Sequence, residues 1–223
     1  MGSRSKFAPP PQTWVATGLL ILCCTAVSLA DVTTVAVVNT ESESPGGISV
    51  DVNGNVYSAD FGGTGVFKIE PDGSTSVFAT GFLTPSGNGF DSKGNFYQSN
   101  YSDPVSPLSP DTIVKITPDG ARTIFATGLD GPVGITFDAS DTMYVAMCNL
   151  QNVTRIDQSG VASVFATDPG FACPNGITFD TKGNLYTCNF NDGGVYKIAP
   201  DGSVSLFATL PIRSKLCQPC PNH

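Results

Sequence analysis

The 223-residue chain has one histidine, and it is the last residue, His223. Chemistry would therefore fall to amides, carboxylates and cysteines. Ser-His-Asp and Cys-His devices need an imidazole fixed by packing, and histidine-rich metal sites need several; a terminal residue serves neither. Seven cysteines are present. Cys23 and Cys24 lie in an apolar N-terminal stretch, and Cys148, Cys173, Cys188, Cys217 and Cys220 follow it. In an oxidising compartment an odd set of five implies two disulfides and a spare thiol. Cys217-Gln-Pro-Cys220 has thioredoxin-like spacing but no βα surroundings, so it reads as a local or interchain bridge. "DVNGN" (51–55) and "DSKGN" (91–95) look superficially like calcium loops. They lack the spaced carboxylates and closing Glu of an EF-hand and read as hairpin turns, with the leading Asp bonding turn amides.

The elements that must position these residues form a repeat. "VFAT", "IFAT", "VFAT" and "LFAT" place Phe78, Phe125, Phe165 and Phe207 at intervals of 47, 40 and 42 residues. "GISVDVNGNVY", "GNGFDSKGNFY", "GITFDASDTMY" and "GITFDTKGNLY" keep step with them, as do "FKIEPDG", "VKITPDG", "TRIDQSG" and "YKIAPDG". Each unit reads as four short strands joined by Gly/Asn turns, and a period in the forties with four strands reads as a propeller blade. The fold class is therefore all-β: a propeller with four recognisable four-stranded blades, forming an open or truncated ring. Blades are assigned to 41–81, 82–128, 129–169 and 170–210, preceded by a lone outer strand at 33–40, "TTVAVVNT" without its first residue aligned to "STSVFAT". Residues 211–223 form a Cys-containing tail with no new repeat, and the second blade carries an insertion within "SNYSDPVSPLSPD". Val77-Phe78, Ile124-Phe125, Val164-Phe165 and Leu206-Phe207 are expected to pack blade on blade.

In a propeller the start of the first strand and the end of the second meet at one face. This brings Asn175 and Asn189 together, with Asp60, Asn100 and Asn149 at or near the corresponding strand ends, as a polar ring suited to a ligand. The competing reading is that these Asp and Asn residues cap loops. Cys148, Cys173 and Cys188 fall at the same face, so a disulfide from Cys173 to Cys148 or to Cys188 is expected, with a zinc site as the weaker alternative.

"PNGITFDTKGNLYTCNFNDGGVYKIAPDG" resembles the NHL-repeat and regucalcin–gluconolactonase (senescence marker protein) superfamily of six-bladed propellers, and the likeness runs over 33–209. In that superfamily the metal-dependent lactonases hold a divalent cation at the ring centre, with ligands mainly at the residue before the first-strand Gly. The matching positions here are Gly46, Ser86, Val133 and Asn175, of which only Asn175, in its Pro-Asn-Gly context, fits. The resemblance thus implies Asn175 as the metal candidate, with Ca²⁺ or another divalent cation as the cofactor. A hard cation takes six or more oxygens with carboxylates among them, and one amide does not supply that. The virginiamycin B lyase group is similar in its repeat but relies on a histidine base, which this chain does not offer. Two readings follow: a ligand- or protein-binding scaffold without catalysis, or a metal-dependent lactone or ester hydrolase.

Residues 1–30 read as a signal peptide: Arg4 and Lys6, then an uncharged stretch containing "VATGLLILCCTAVSLA", then small residues at Ser28 and Ala30. The expectation is a secreted, periplasmic or extracellular protein, or a membrane-anchored one should the segment stay attached. The net charge of −8 and the absence of a basic run argue against nucleic acid. The expected partners are a small molecule, a glycan or a protein, with self-association as a way of completing the ring. Asn100-Tyr-Ser and Asn152-Val-Thr are N-glycosylation sequons.

Overall fold

Alternating apolar residues between Gly-centred turns give sixteen short strands in the computed structural model, which describes Thr34, residues 45–101 and residues 111–210. The chain divides at Thr34, and every described strand belongs to the unit that begins at Val35. The 1–30 segment, the lone strand at 33–40 apart from Thr34, the insertion at 102–110 and the 211–223 tail with Cys217 and Cys220 lie outside the described residues.

The strands form four antiparallel sheets, each from four strands consecutive in sequence. Blade one is β1 (Pro45–Val50), β2 (Val56–Asp60), β3 (Val66–Ile69) and β4 (Thr75–Ala79). Blade two is β5 (Pro85–Phe90), β6 (Phe96–Asn100), β7 (Thr112–Ile116) and β8 (Arg122–Ala126). Blade three is β9 (Pro132–Phe137), β10 (Met143–Met147), β11 (Asn152–Ile156) and β12 (Ala162–Thr167). Blade four is β13 (Pro174–Phe179), β14 (Leu185–Asn189), β15 (Gly194–Ile198) and β16 (Val204–Thr209). No helix occurs among the described residues. The arrangement is a four-blade propeller.

The first hairpin of each blade is closed by its aspartate. Asp91 Oδ1 accepts the backbone N–H groups of Lys93 (3.0 Å) and Asn95 (2.9 Å), while its Oδ2 accepts from Asn95 Nδ2 and from Tyr97 Oη (3.1 Å). Asp51, Asp138 and Asp180 bond the turn amides in the same way. These are the expected turns, with Gly54, Gly94 and Gly183 at positive φ and Asp141 taking that place in blade three.

The inner strands β1, β5, β9 and β13 lie side by side in that order, backbone against backbone. A Cβ built on Gly87 would fall 2.0 Å from Val133 O, and one on Gly134 would fall 2.0 Å from Asn175 O. The repeated Gly of the first strand is thus a spacing requirement, because only hydrogen fits between adjacent inner strands.

Three apolar cores lie between successive blades. Each is built from one blade's Tyr and outer-strand Phe against the next blade's inner-strand Phe. Tyr57 meets Phe78 and Phe90, Tyr97 meets Phe125 and Phe137, and Tyr144 meets Phe165 and Phe179, all with ring centroids near 5 Å. A β-bulge in every outer strand leaves Phe78, Phe125, Phe165 or Phe207 without a cross-strand partner.

The outer-strand expectation is corrected in two ways. Val77, Ile124, Val164 and Leu206 are exposed, because they lie on the rim strand, beyond the reach of a neighbouring blade. Phe78, Phe125 and Phe165 pack as expected, but Phe207 is 62% exposed because no described blade follows it.

Candidate functional site

The inner strands and the loops after the second strands enclose a half-open cavity of about 850 Å³, within the size range of small-molecule sites. Its floor is formed by the first-strand repeats: Gly46-Gly47-Ile48, Ser86-Gly87-Asn88, Val133-Gly134-Ile135 and Asn175-Gly176-Ile177. Its mouth carries Phe61, Tyr101, Cys148 and Phe190, the residues that directly follow β2, β6, β10 and β14. Three of these four equivalent positions are aromatic. Phe61 and Tyr101 stand with ring centroids 6.0 Å apart, and Phe190 is 73% exposed.

The ring proposed from sequence separates. Only Asn175 lines the cavity; the other four residues are held by their loops. Asn100 is buried, donating to Thr112 Oγ1 at 3.0 Å and accepting from Leu83 N at 3.4 Å. Asn189 is buried and donates to Gly170 O (2.8 Å) and Asp192 Oδ1 (2.9 Å). Asp60 is 1% exposed, its carboxylate turned over Gly63 within its own loop. Asn149 donates to Asp130 Oδ1 (2.9 Å) and accepts from Tyr101 Oη (3.2 Å), so it steadies a rim residue from outside the cavity. Short polar side chains next to a turn have backbone and side-chain partners within reach, and here those partners take the amide N–H groups of Asn100, Asn149 and Asn189.

The cysteines are sorted as well. Cys148 and Cys173 form a disulfide, with their Cα atoms 3.9 Å apart, at the mouth between blades three and four. Cys173 reaches it from a left-handed backbone (φ 59°), the conformation that Thr84 and Gly131 also take just before their strand-opening prolines. Cys188 is not part of a bridge and remains a half-buried free thiol. Both sequon asparagines are buried: Asn100 as described, and Asn152 with its Oδ1 accepting from Thr154 Oγ1 at 2.9 Å. A glycan on either requires that strand to open.

Asn88 escaped sequence reasoning. It occupies the position held by Ile48, Ile135 and Ile177 in the other blades, and that break in the repeat was the available signal. Asn88 is buried in the cavity floor, donates to Gly47 O (3.1 Å) and to Gln98 Oε1 (3.4 Å), and its Oδ1 has no partner among the described residues. Gln98 in turn donates to Gly87 O at 2.9 Å and Ser99 O at 3.0 Å. The aromatic rim was also missed, although "ADF", "SNY" and "CNF" stand at equivalent places in three repeats.

The residues matching 89–220 fit the model of the SMP-30/gluconolactonase/LRE-like region, which covers more than half of the chain. The chain belongs to this family. The gluconolactonase-like chain is also similar to solved structures. Virginiamycin B lyase from Staphylococcus aureus aligns with a TM-score of 0.62 at 18% identity, over 78% of this chain and 58% of the lyase. A gluconolactonase from Xanthomonas campestris aligns with a TM-score of 0.65 at 19% identity, over 75% of this chain and 62% of that one. A chain of the nidogen/laminin complex aligns with a TM-score of 0.60 at 25% identity, over 72% and 61% respectively. This gluconolactonase-like chain therefore spans about six tenths of the length of these structures. No curated protein matches it.

The divalent cation implied by the metal-dependent lactonases does not fit the described residues. Among the described residues the cavity lining contains no Asp, Glu, His, Lys or Arg. Among the described residues no three His, Cys, Asp or Glu side chains gather closely enough to share an ion. Ser86, Asn88 and Asn175 bring neutral oxygens alone, whereas hard cations are held by carboxylates. The tyrosines of the interblade cores are unsuited to proton transfer near neutrality. Burial, then the Asp51 charge, pushes the Tyr57 phenol up to about 12, and burial with Asp91 raises that of Tyr97 further.

Proposed function

We propose that this gluconolactonase-like propeller is a secreted binding scaffold whose central cavity takes an uncharged, ring-bearing small molecule without hydrolysing it. The observation that carries this reading is the cavity lining: an aromatic rim of Phe61, Tyr101 and Phe190 over a floor of Ser86, Asn88 and Asn175, with no charged group among the described residues. Aromatic faces accept flat or ring-shaped apolar surface, and a few amides fix orientation by hydrogen bonding. A neutral lining favours a neutral ligand, because it offers no counter-charge to an ionised one. The signal-like residues 1–30 support placement outside the cytoplasm. The nidogen/laminin similarity leaves room for protein as the bound partner.

The second reading is a metal-dependent lactonase, favoured by the family match and by Asn175 in its Pro-Asn-Gly context. Calorimetric titration with Ca²⁺, run beside a gluconolactone hydrolysis assay, separates the two. The scaffold reading expects no saturable Ca²⁺ heat and no metal-dependent turnover. Tight Ca²⁺ binding that disappears in Asn175→Ala, together with turnover, would overturn it.

A further inference from the structure

The rim residues of blades two, three and four are each seated on the backbone of their own blade. Tyr101 N donates to Thr84 O (3.1 Å), Cys148 N to Gly131 O (2.8 Å) and Phe190 N to Cys173 O (2.9 Å). Thr84, Gly131 and Cys173 are the left-handed residues that stand before the strand-opening prolines. In blade four the seat is larger: Asn191 N donates to Ala172 O (3.3 Å) and Asn189 Nδ2 to Gly170 O (2.8 Å). The segment that carries it is also longer. Six residues separate Thr167 from Pro174, against four between Thr80 and Pro85 and four between Thr127 and Pro132.

The sulfur of Cys173 is bonded to that of Cys148, the rim residue of blade three. One covalent bond therefore joins one rim residue to the backbone that seats the next. Phe190 depends on its seat more than the other rim aromatics do. Phe61 and Tyr101 stand against each other, and Tyr101 Oη donates to Asn149 Oδ1. Phe190 is 73% exposed, and no ring among the described residues pairs with it. A longer connection has more freedom to lose, and a cross-link removes that freedom in advance.

We propose that the Cys148–Cys173 bridge is the positioning device of the cavity mouth, holding Phe190 in place through the Cys173 carbonyl, so that affinity for a neutral ring-bearing ligand follows the redox state of the bridge. The proposal rests on the neutral-ring reading of the cavity. Cys148 is half-buried at the mouth and Cys173 is 8% exposed, so a reductant meets Cys148 first. A thiolate of a small dithiol attacks Cys148 Sγ, and Cys173 leaves as a thiolate that takes up a proton. The second thiol of the reagent, as its thiolate, then displaces Cys148, which is protonated in turn. Two electrons pass to the bridge, and the reagent leaves as its cyclic disulfide. With the bridge open, a ligand has to order the Phe190 ring as it binds, and that ordering lowers affinity.

Fluorescence titration of the full chain with phenylnaphthylamine, a neutral aromatic dye that brightens in apolar surroundings, tests this. Oxidised wild type is expected to bind the dye saturably. Dithiothreitol should weaken binding about fivefold, with recovery on reoxidation. Cys148→Ser with Cys173→Ser should match reduced wild type and ignore the reagent; Cys148→Ala with Cys173→Ala is the second bridge-free pair if the serine pair does not fold. Phe190→Ala separates positioning from general loosening of blade four: it should bind weakly and equally in both redox states. Reduction that leaves wild-type affinity unchanged would overturn the proposal, while dye binding itself keeps the neutral-ring reading. The same weakening in Phe190→Ala, or a further loss when the bridge-free pair is reduced, would also overturn it. An oxidised wild type that does not take up the dye would instead overturn the neutral-ring reading, and this proposal with it.

Discussion

The interface between blades two and three and the trailing face of blade four are built from one pattern and meet different fates. Tyr97 is 4% exposed, held between Phe125 and Phe137, with its hydroxyl on Asp91. Tyr186 makes the matching contacts with Phe207 and Asp180, yet no second ring among the described residues closes over it. The difference teaches where this fold keeps its stability. A blade's own hydrogen bonds form everywhere, but its apolar side is completed only by a neighbour.

The sharpest way to break the comparison is to truncate one aromatic at each place. Phe96→Ala, which empties a fully buried position at the interface of blades one and two, is expected to cost about 3–5 kcal/mol in urea unfolding. Phe207→Ala, at a site that is 62% exposed, is expected to cost less than about 1 kcal/mol. Equal costs would mean that the blade-four face is covered.

The next lever is the Cys148–Cys173 bridge, which ties blade four to blade three across 25 residues of sequence. Cys148→Ser with Cys173→Ser is expected to lower stability by about 2–4 kcal/mol. Hydrogen exchange should show the loss concentrated in β13 to β16, an end blade that the bridge ties to its one described neighbour. A uniform loss over all blades would contradict that.

Gly134→Ala and Gly176→Ala form a gentler pair. The first drives a methyl group into the Asn175 carbonyl and is expected to cost about 1–3 kcal/mol, while the second meets only the Cys188 sulfur and should cost a fraction of that.

Acid gives the smallest effect. The Asn184 side-chain hydrogen bond, joined by backbone N–H groups, holds the Asp180 carboxyl below the usual range. A carboxyl depressed in the folded state stabilises above its ordinary value, near 3.9, and that contribution is lost as pH falls through the lower folded value. Stability is therefore expected to drop below about pH 4, and Asp180→Asn should flatten that limb slightly in acid melts.

The fold was legible because its determinants are local. Two-residue alternation, Asp-led turns and the PDG hairpins each act within a few residues, and four repetitions fixed the period. The turn role of Asp180 and the packing of Phe78, Phe125 and Phe165 could be read the same way. Phe207 was misjudged because identical sequence met a different neighbour, a fact about space that no repeat unit encodes. The polar ring dissolved for a related reason: Asn100 and Asn189 have partners that only the folded chain brings within bonding range, and Asp60 is buried over Gly63. Asn175 kept its place in the cavity because its strand, unlike those loops, supplies no partner for it. Asn88 and the aromatic rim were visible in principle, as departures from and regularities in the repeat.

The buried sequons carry a consequence in time. Oligosaccharide transfer acts on an Asn side chain that is still extended and accessible, whereas Asn152 ends up paired to Thr154 beneath neighbouring strands. In a compartment that glycosylates, folding and modification therefore compete for the same nascent segment. Blade three is assembled from strands adjacent in sequence, and such short-range pairing is the fast kind. A molecule modified before blade three closes carries a sugar that bars its own blade from closing.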